Sequence, residues 1–572
     1  MGTNFIFLSF LLLAFIISSC LADVNHTTPA TTPVAPNVVC NATLYPKFCK
    51  SVLPHAHNET SDIREYSRFS VRRSLSAARK FLSLIEKYLR RRSKLSETAI
   101  RALEACHLLA GLNIDFLAST MQTLNSTKPL LMADTDDLQT LLSAIVTNID
   151  TCSDGIKSTA SSWSLKNGLY TPLSNGTKLF SVSLSLFSRG WIHKNKKCRK
   201  SCGRLHPGRK LIFSDTELVQ NGPLPMRMSN EKRKIFESFR QRKLLQTDEY
   251  KVLISDVVIV CPDGTGNFTN INEAVNAAPN NTVISDGYFL IYIAAGVYQE
   301  YVSIAKNKKY VMMLGEGINQ TIITGNRSFV DGWPTFTSAT FAVVGEGFVA
   351  LNITFRNTAG AIKHQAVAVR NGADLSTFYW CSFEGYQDTL YTHSLRQFYR
   401  NCDIYGTVDF IFGNAAVVFQ NCKIYARLPM ANQFNAVTAQ GRTDPDQNTG
   451  ISIQNCSILQ APELASSNGT TQTYLGRPWK EYSRTVYMQS FLDKFINPLG
   501  WIAWNGSFAL NTSYYAEYNN TGRGSRHHYR VTWPGFHVLK NATVAANFTV
   551  TNFIQGDDWL PNTAVAYVGG LL

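Results

Sequence analysis

Four copies of one short pattern constrain the fold of this chain more than anything else in it. They read Trp380, Cys381, Ser382, Phe383; Asn401, Cys402, Asp403, Ile404; Asn421, Cys422, Lys423, Ile424; and Asn455, Cys456, Ser457, Ile458, with a degenerate earlier copy at Asn352, Ile353, Thr354, Phe355. The cysteines are spaced by 21, 20 and 34 residues, the last step leaving room for a longer loop. A repeat of this period with Gly- and Asn-rich turns predicts a parallel β-solenoid, in which each repeat is one coil that cannot bury its apolar face alone. Cys and the Ile or Phe two residues later fall on one face of a strand, so they are expected in the interior stack. Short apolar runs such as Val257 to Val260, Phe289 to Ile293 and Phe341 to Val344, separated by Gly, Asn and Asp, extend the strand-like pattern from about Val252 to the end.

The repeat also sets the phase of two carboxylates. Asp388 and Asp409 each follow their own repeat cysteine by 7 residues. Equal phase on neighbouring coils places them side by side at the strand spacing of about 4.8 Å. Two carboxylates that close do not both ionise cheaply, so one pKa rises and the pair divides into a proton donor and an anionic nucleophile. The bland reading is a pair of turn-capping aspartates. Their settings argue against it: Asp388 stands in Gly385, Tyr386, Gln387, Asp388, Thr389, Leu390, and Asp409 opens Asp409, Phe410, Ile411, Phe412, Gly413. Large apolar neighbours of this kind perturb a carboxyl group.

Upstream, the period changes. Leu75, Ala78, Leu82, Ile85 and Leu89 recur at helical spacing, as do Leu138, Leu141, Leu142, Ile145, Ile149 and Cys152, which predicts amphipathic helices of a bundle. The apolar run Phe5 to Ile17, ending in Ser18, Ser19, Cys20, Leu21, Ala22, predicts a secretory signal over residues 1–22. A short Pro/Thr linker over 23–37 follows it. Many Asn-x-Ser/Thr sequons, among them Asn41, Asn125, Asn352 and Asn541, fit a secreted glycoprotein, and twelve cysteines in that compartment tend to pair. Residues 188–245 form a basic connector, read as solvated and mobile, with two basic pairs followed by apolar pairs: Arg209, Lys210, Leu211, Ile212 and Arg242, Lys243, Leu244, Leu245. Such pairs are candidate processing sites for a secretory-pathway protease. His193, Cys198, Cys202 and His206 have an atypical spacing for zinc and read better as a local disulfide.

Charge sharpens the division. The whole chain carries 55 Lys and Arg against 40 Asp and Glu, a net +15, yet residues 246–572 hold 21 basic and 23 acidic groups while the first 245 hold 34 and 17. The basic excess belongs to the upstream region and the connector. That removes the case for a nucleic-acid partner and leaves attraction to an acidic polymer as a property of the uncleaved chain.

From about Asp256 to Leu572 the sequence resembles plant pectin methylesterases (pectinesterases). The resemblance rests on five ordered motifs: Gly296, Val297, Tyr298, Gln299, Glu300; His364, Gln365, Ala366, Val367, Ala368; the two aspartate motifs; and Leu475, Gly476, Arg477, Pro478, Trp479. It implies a right-handed parallel β-helix, in agreement with the solenoid. It further implies that Asp409 attacks the methyl-ester carbonyl of a galacturonate unit and that Gln365 and Gln387 hold the oxyanion. Asp388 would protonate departing methanol and then activate water. Arg477 would orient Asp409, Trp479 would stack on sugar, and Thr335 would touch substrate. No metal or cofactor enters this chemistry.

Residues 38–187 resemble the pectin methylesterase inhibitor fold, a four-helix bundle. The resemblance is carried by Cys40, Asn41, Ala42, Thr43, Leu44, Tyr45, Pro46, Phe48 and Cys49, and by Cys106 with Cys152, Ser153, Asp154, Gly155. It implies bridges Cys40–Cys49 and Cys106–Cys152, and a pro-region that restrains the enzyme until cleavage near Arg242 to Leu245. In the catalytic part Cys402 with Cys422 is the first choice for a bridge, with Cys422 and Cys456 as its rival.

The expectation is thus a two-domain chain, an all-α four-helix bundle followed by an all-β parallel β-helix over 246–572. It demethylates pectin in the cell wall outside the cell, and is monomeric once mature. A β-helix polygalacturonase or pectate lyase, or a silent pectin-binding inhibitor protein, are the rivals. Two carboxylates also serve glycoside hydrolysis, a lyase would need calcium ligands, and the intact Asp388, Asp409, Gln387 and Arg477 speak against silence.

Overall fold

The computed structural model describes residues 33–54, 60–126, 130–159, 163–192, 226–227, 229–230, 232–234, 252–467 and 469–572. The predicted signal, most of the Pro/Thr linker, the His193 to His206 cluster and the candidate cleavage site at Arg242, Lys243, Leu244 and Leu245 lie outside them. Among the described residues no helix is long and apolar enough to cross a membrane.

Two short helices, α1 (Pro36–Asn41) and α2 (Pro46–Val52), precede four long ones: α3 (Ile63–Leu89), α4 (Glu97–Leu124), α5 (Met132–Ser158) and α6 (Trp163–Trp191). Local signals set their starts. Asp62 accepts a hydrogen bond from the Arg64 amide, and Ser96 does the same for Ala99, so each caps a helix whose first amides have no partner within it. The predicted apolar stripes bury Ala78 and Ile85 on α3 and Leu138, Leu142, Ile145 and Ile149 on α5. Both expected bridges are present, Cys40–Cys49 fastening α1 to α2 and Cys106–Cys152 fastening α4 to α5.

The second domain is a parallel β-helix of three sheets, with 12, 8 and 7 strands, in which sequence-adjacent coils pair in register. Ser376–Tyr379, Arg396–Arg400, Ala416–Gln420 and Gly450–Gln454 stack in the largest sheet. After one turn, Ser382–Glu384, Asp403–Gly406, Lys423–Ala426 and Ser457–Gln460 stack in the second. The turn between them explains the repeat. Trp380, Asn401, Asn421 and Asn455 all have φ between 52° and 58°, a left-handed conformation that asparagine tolerates better than most residues. The following Cys381, Cys402, Cys422 and Cys456 line the core together with Phe383, Ile404, Ile424 and Ile458.

The expected bridge between Cys402 and Cys422 is not formed; both are buried free thiols, as are Cys261, Cys381 and Cys456. In-register neighbours in a parallel sheet project their side chains in parallel, whereas a disulfide needs the two Cβ–S bonds to converge. The four repeat thiols instead lie against carbonyls of neighbouring coils, Cys402 against Phe378 and Cys456 against Phe419 among them. The basic connector also departs from expectation over a short stretch. Met226–Arg227 pairs with Val252 and Leu253 as an edge strand, and Lys232 forms an ion pair with Asp256 at 3.2 Å.

Candidate active site

The turn between the second and third sheets carries both candidate carboxylates. Leu390 and Ile411 are register partners in the third sheet, so Asp388 and Asp409, each two residues earlier, occupy equivalent places on adjacent coils. The Asp388 amide donates to the Val408 carbonyl at 3.1 Å, which fixes one turn on the next. Both aspartates sit at positive φ, 61° and 54°, a conformation held by the surrounding coils and of the kind that collects at functional sites. Gly413 closes the Asp409 motif at φ 129°, where a Cβ would fall 2.0 Å from the Thr392 carbonyl oxygen. Gly476, beside Arg477, is hemmed in likewise by Thr438.

Arg477 holds the Asp409 carboxylate in a fork, Nε to Oδ1 and Nη2 to Oδ2, both at 2.7 Å. Such a bidentate pair fixes a carboxylate in orientation as well as in charge. Burial pushes Asp409 up, and the hydrogen bonds and charge of Arg477 oppose it. Asp388 is raised far more, by burial first and then by the negative charge of Asp409, with Arg477 only partly compensating. The two carboxyls are thus unequal: both are raised by burial, but Arg477 opposes the shift at Asp409 directly, and Asp388 is raised the more. Gln387 lines a cavity of about 290 Å³ with His364, Val408, Asn432, Gln433, Phe434 and Arg477. Among the described residues the side-chain amides of Gln365 and Gln387 have no hydrogen-bond partner, while their backbone carbonyls accept from Phe329 and Ala366.

A separate wall of aromatic rings, whose members are not among the residues lining this cavity, is built on the neighbouring coils. Phe336, Tyr391, Phe412 and Trp479 make a contiguous row, with Tyr391 stacked on Phe412 at 4.2 Å between centroids and Trp479 edge-on to Phe412 at 6.0 Å. Thr335 opens the short turn that presents Phe336, a member of this row. Sequence reasoning missed Phe336, Tyr391 and Phe412, and it missed Phe434 and Trp504, whose rings lie 5.2 and 4.2 Å from the Arg477 guanidinium. The repeat did carry a signal for two of them, since Tyr391 and Phe412 share the 21-residue phase of the aspartates and are register partners, whereas Phe336, Phe434 and Trp504 belong to separate loops.

The helical bundle covers the aromatic wall. Phe336, Tyr391 and Phe412, with Trp479 packed against them, belong to the same apolar cluster as the bundle core. Around this contact α5 supplies polar links. Lys480, next to Trp479, bridges Asp154 at 2.6 Å and Asp150 at 2.9 Å. Arg396 reaches Asp137 at 2.6 Å, and His393 lies 3.0 Å from the Thr151 hydroxyl. Asn414 and Gln447 both donate to Thr147, and Asn448 donates to Thr140. The cavity at Gln387 and Arg477 is lined by catalytic-domain residues alone.

Residues 257–557 match the family model described as Pectinesterase, and residues 35–186 match the one described as Plant invertase/pectin methylesterase inhibitor. The chain is 56% identical to the "Probable pectinesterase/pectinesterase inhibitor 7" of Arabidopsis thaliana, over 98% of both chains. It is 42% identical to "Pectinesterase 2" of Citrus sinensis, over 97% of this chain and 98% of that protein. Among solved structures, the pectin methylesterase from carrot superposes with a TM-score of 0.54 at 53% identity, covering 57% of this chain and all of that one.

Proposed function

Because this chain belongs to the pectinesterase family, a pectin methylesterase joined to an inhibitor-like helical region, we propose that Asp409 is its nucleophile and Asp388 its acid and base. The observation that carries this is the asymmetry of the pair: one carboxylate locked by Arg477, the other buried, raised and without a partner among the described residues. A carboxylate oxygen of Asp409 adds to the ester carbonyl carbon of a methyl galacturonate unit. The oxygen that becomes negative takes hydrogen bonds from Gln387 and Gln365, whose amides bring donors without a competing charge. As the tetrahedral centre collapses, the C–O bond to the methoxy group breaks and Asp388 passes its proton to that oxygen, releasing methanol. Asp388, now ionised, takes a proton from water, which attacks the acyl carbon and expels Asp409 as its carboxylate. The enzyme returns with Asp388 protonated, and the product carries one new carboxyl group per ester.

Trp479 and Thr335 belong to the substrate path on the aromatic wall, and the bundle occupies that wall. The full chain is therefore a restrained form: a pectin strand cannot lie along Tyr391, Phe412 and Trp479 while α5 is docked there. Cleavage in the connector, at Arg242 to Leu245, releases the restraint. The signal-like leader and the polymeric substrate place this activity at the cell wall outside the cell, and the mature β-helix acts as a monomer. Methanol release from pectin, compared between the full chain and the segment beginning at Gln246, tests both parts. The reading requires methanol without new reducing ends or unsaturated products, and at least about tenfold more of it from the segment. Equal rates would remove the restraint, and chain shortening would remove the esterase.

A further inference from the structure

A second cavity lies away from the catalytic carboxylates, at the corner where the coils leave the second sheet. It has a volume of about 540 Å³, and Tyr301, Arg327, Asp331, Trp333, Thr358 and Lys363 are among its walls. Arg327 is its central group. Its guanidinium is sandwiched between the rings of Tyr301, at 3.6 Å, and Trp333, at 3.8 Å. With both faces covered, its donors point out only along the edge, and among the described residues nothing accepts from them. Asp331, the one acid on the cavity wall, is already engaged by Lys363 and by the Ser328 hydroxyl. The Tyr301 hydroxyl is committed too, donating to Asn326 at 3.0 Å.

An aromatic clamp that leaves only the edge of a guanidinium free favours a planar anion that takes two parallel hydrogen bonds, a carboxylate above all. Burial lowers the Arg327 pKa, with Tyr301 opposing the shift and the positive charge of Arg101 adding to it, so a bound anion would favour the charged guanidinium. The cavity is of the size that holds a small ligand. Its position connects it to the reaction. The loop that carries Arg327 and Trp333 runs on into Thr335 and Phe336, and its Phe329 amide donates to the Gln365 carbonyl at 2.9 Å. A demethylated strand carries one carboxylate on every sugar, while the esterified substrate is neutral there. We propose that this corner is a second saccharide site, which takes the carboxylate of a demethylated galacturonate unit edge-on at Arg327 with Lys363 as a second cation.

The bundle touches this site as well. Arg101 of α4 lies 3.8 Å over the other face of Trp333 and donates to the Gly332 carbonyl at 2.7 Å. Removal of the bundle frees that indole face for a sugar ring, so the site is expected to bind more tightly in the segment starting at Gln246 than in the full chain.

The test uses the full chain, with trigalacturonic acid and its fully methyl-esterified counterpart as probes, read by calorimetry and tryptophan fluorescence. Saturable binding of the triacid is expected, weakened at least about tenfold in Arg327→Gln and by raised salt, with the esterified trimer at least about tenfold weaker. The melting temperature of Arg327→Gln should match that of the parent. If that variant does not fold, Lys363→Gln on the cavity rim supplies the same readout, with an expected weakening of about threefold. Three results overturn the proposal: no saturable binding at millimolar triacid, equal binding of triacid and ester, or binding indifferent to both substitutions. The last would place the triacid at the catalytic cavity instead. Methanol release does not enter the readout, so failure here leaves the esterase reading standing.

Discussion

The docking face of α5 and the active-site corner both carry polar side chains at or near buried positions, and they treat them in opposite ways. On α5 the stripe Asp137, Thr140, Ser143, Thr147, Thr151 and Asp154 faces the β-helix and meets partners there: Arg396, Asn448, Gln447, Asn414, His393 and Lys480. At the active-site corner, among the described residues, the buried Asp388 has no partner for its carboxyl and the half-buried Gln365 and Gln387 have none for their side-chain amides. Groups left without a protein partner at the mouth of a cavity keep their hydrogen-bonding capacity for what enters it, whereas those on α5 have spent theirs on the β-helix. The paired face suits adhesion, and the unpaired corner suits the proposed chemistry.

The largest effects are expected where that difference is erased at the corner. Asp409→Ala removes the attacking oxygen, and methanol release from pectin should fall by at least about 10³-fold with the circular dichroism spectrum unchanged. Retained activity would refute the nucleophile. Asp388→Asn keeps the volume but abolishes proton transfer, for an expected loss of about 10²–10⁴-fold. The sign of the pH dependence follows from the shifts. Asp388 acts first as an acid, so activity falls as pH rises through its raised pKa. Asp409 acts as an anion, so activity falls as pH drops through its own. Arg477→Gln removes the cation that opposes burial at Asp409, and the acidic limb should move to higher pH. An unmoved acidic limb would assign that limb to another group.

The two domains were legible in the sequence to different degrees. Helices declare themselves within one segment, so the apolar stripes of α3 and α5 were readable directly. The polar stripe of α5 was present in the same residues, but a solvated helix face and a docking face have the same composition until the partner surface is known. In the β-helix the repeat revealed the coil, and the equal phase of Asp388 and Asp409 placed the pair. The same phase pairs Tyr391 with Phe412, three residues after each aspartate, but the row they belong to did not show itself, because Phe336 and Trp479 reach it from loops outside the repeat. The Cys402 and Cys422 expectation failed for a related reason: proximity was read correctly from phase, and the direction of the side chains was not.

The same contrast predicts how each domain answers reduction. Cys106–Cys152 joins α4 to α5 across 46 residues, and removing such a link costs about 2–4 kcal/mol. The cysteine ladder of the β-helix consists of thiols and has nothing to lose. A reductant should therefore lower the melting transition of the bundle and leave that of the β-helix in place. Titration of the unfolded, unreduced chain should find Cys261, Cys381, Cys402, Cys422 and Cys456 reactive. A β-helix transition that drops with the reductant would mean that the ladder is bridged.

The smallest effect, and the one that bears most directly on the comparison, is expected at the docking face. Lys480 is held by two acids of α5, and each of those acids is partly exposed, with side-chain accessibilities of 24% for Asp150 and 35% for Asp154. Replacing both by asparagine keeps the shape and leaves the Lys480 ammonium facing two neutral amides. Exposure limits the loss, so the docked state should weaken by about 1–2 kcal/mol, well below the cost of breaking a fully buried pair. That amount corresponds to roughly a tenfold shift in the docking equilibrium, to be read as faster methanol release by the full chain on pectin. The segment from Gln246 lacks α5 and provides the ceiling. If the double variant equals the parent, the ion pairs are incidental to docking, and the apolar contact with Phe336, Tyr391, Phe412 and Trp479 holds the bundle in place by itself.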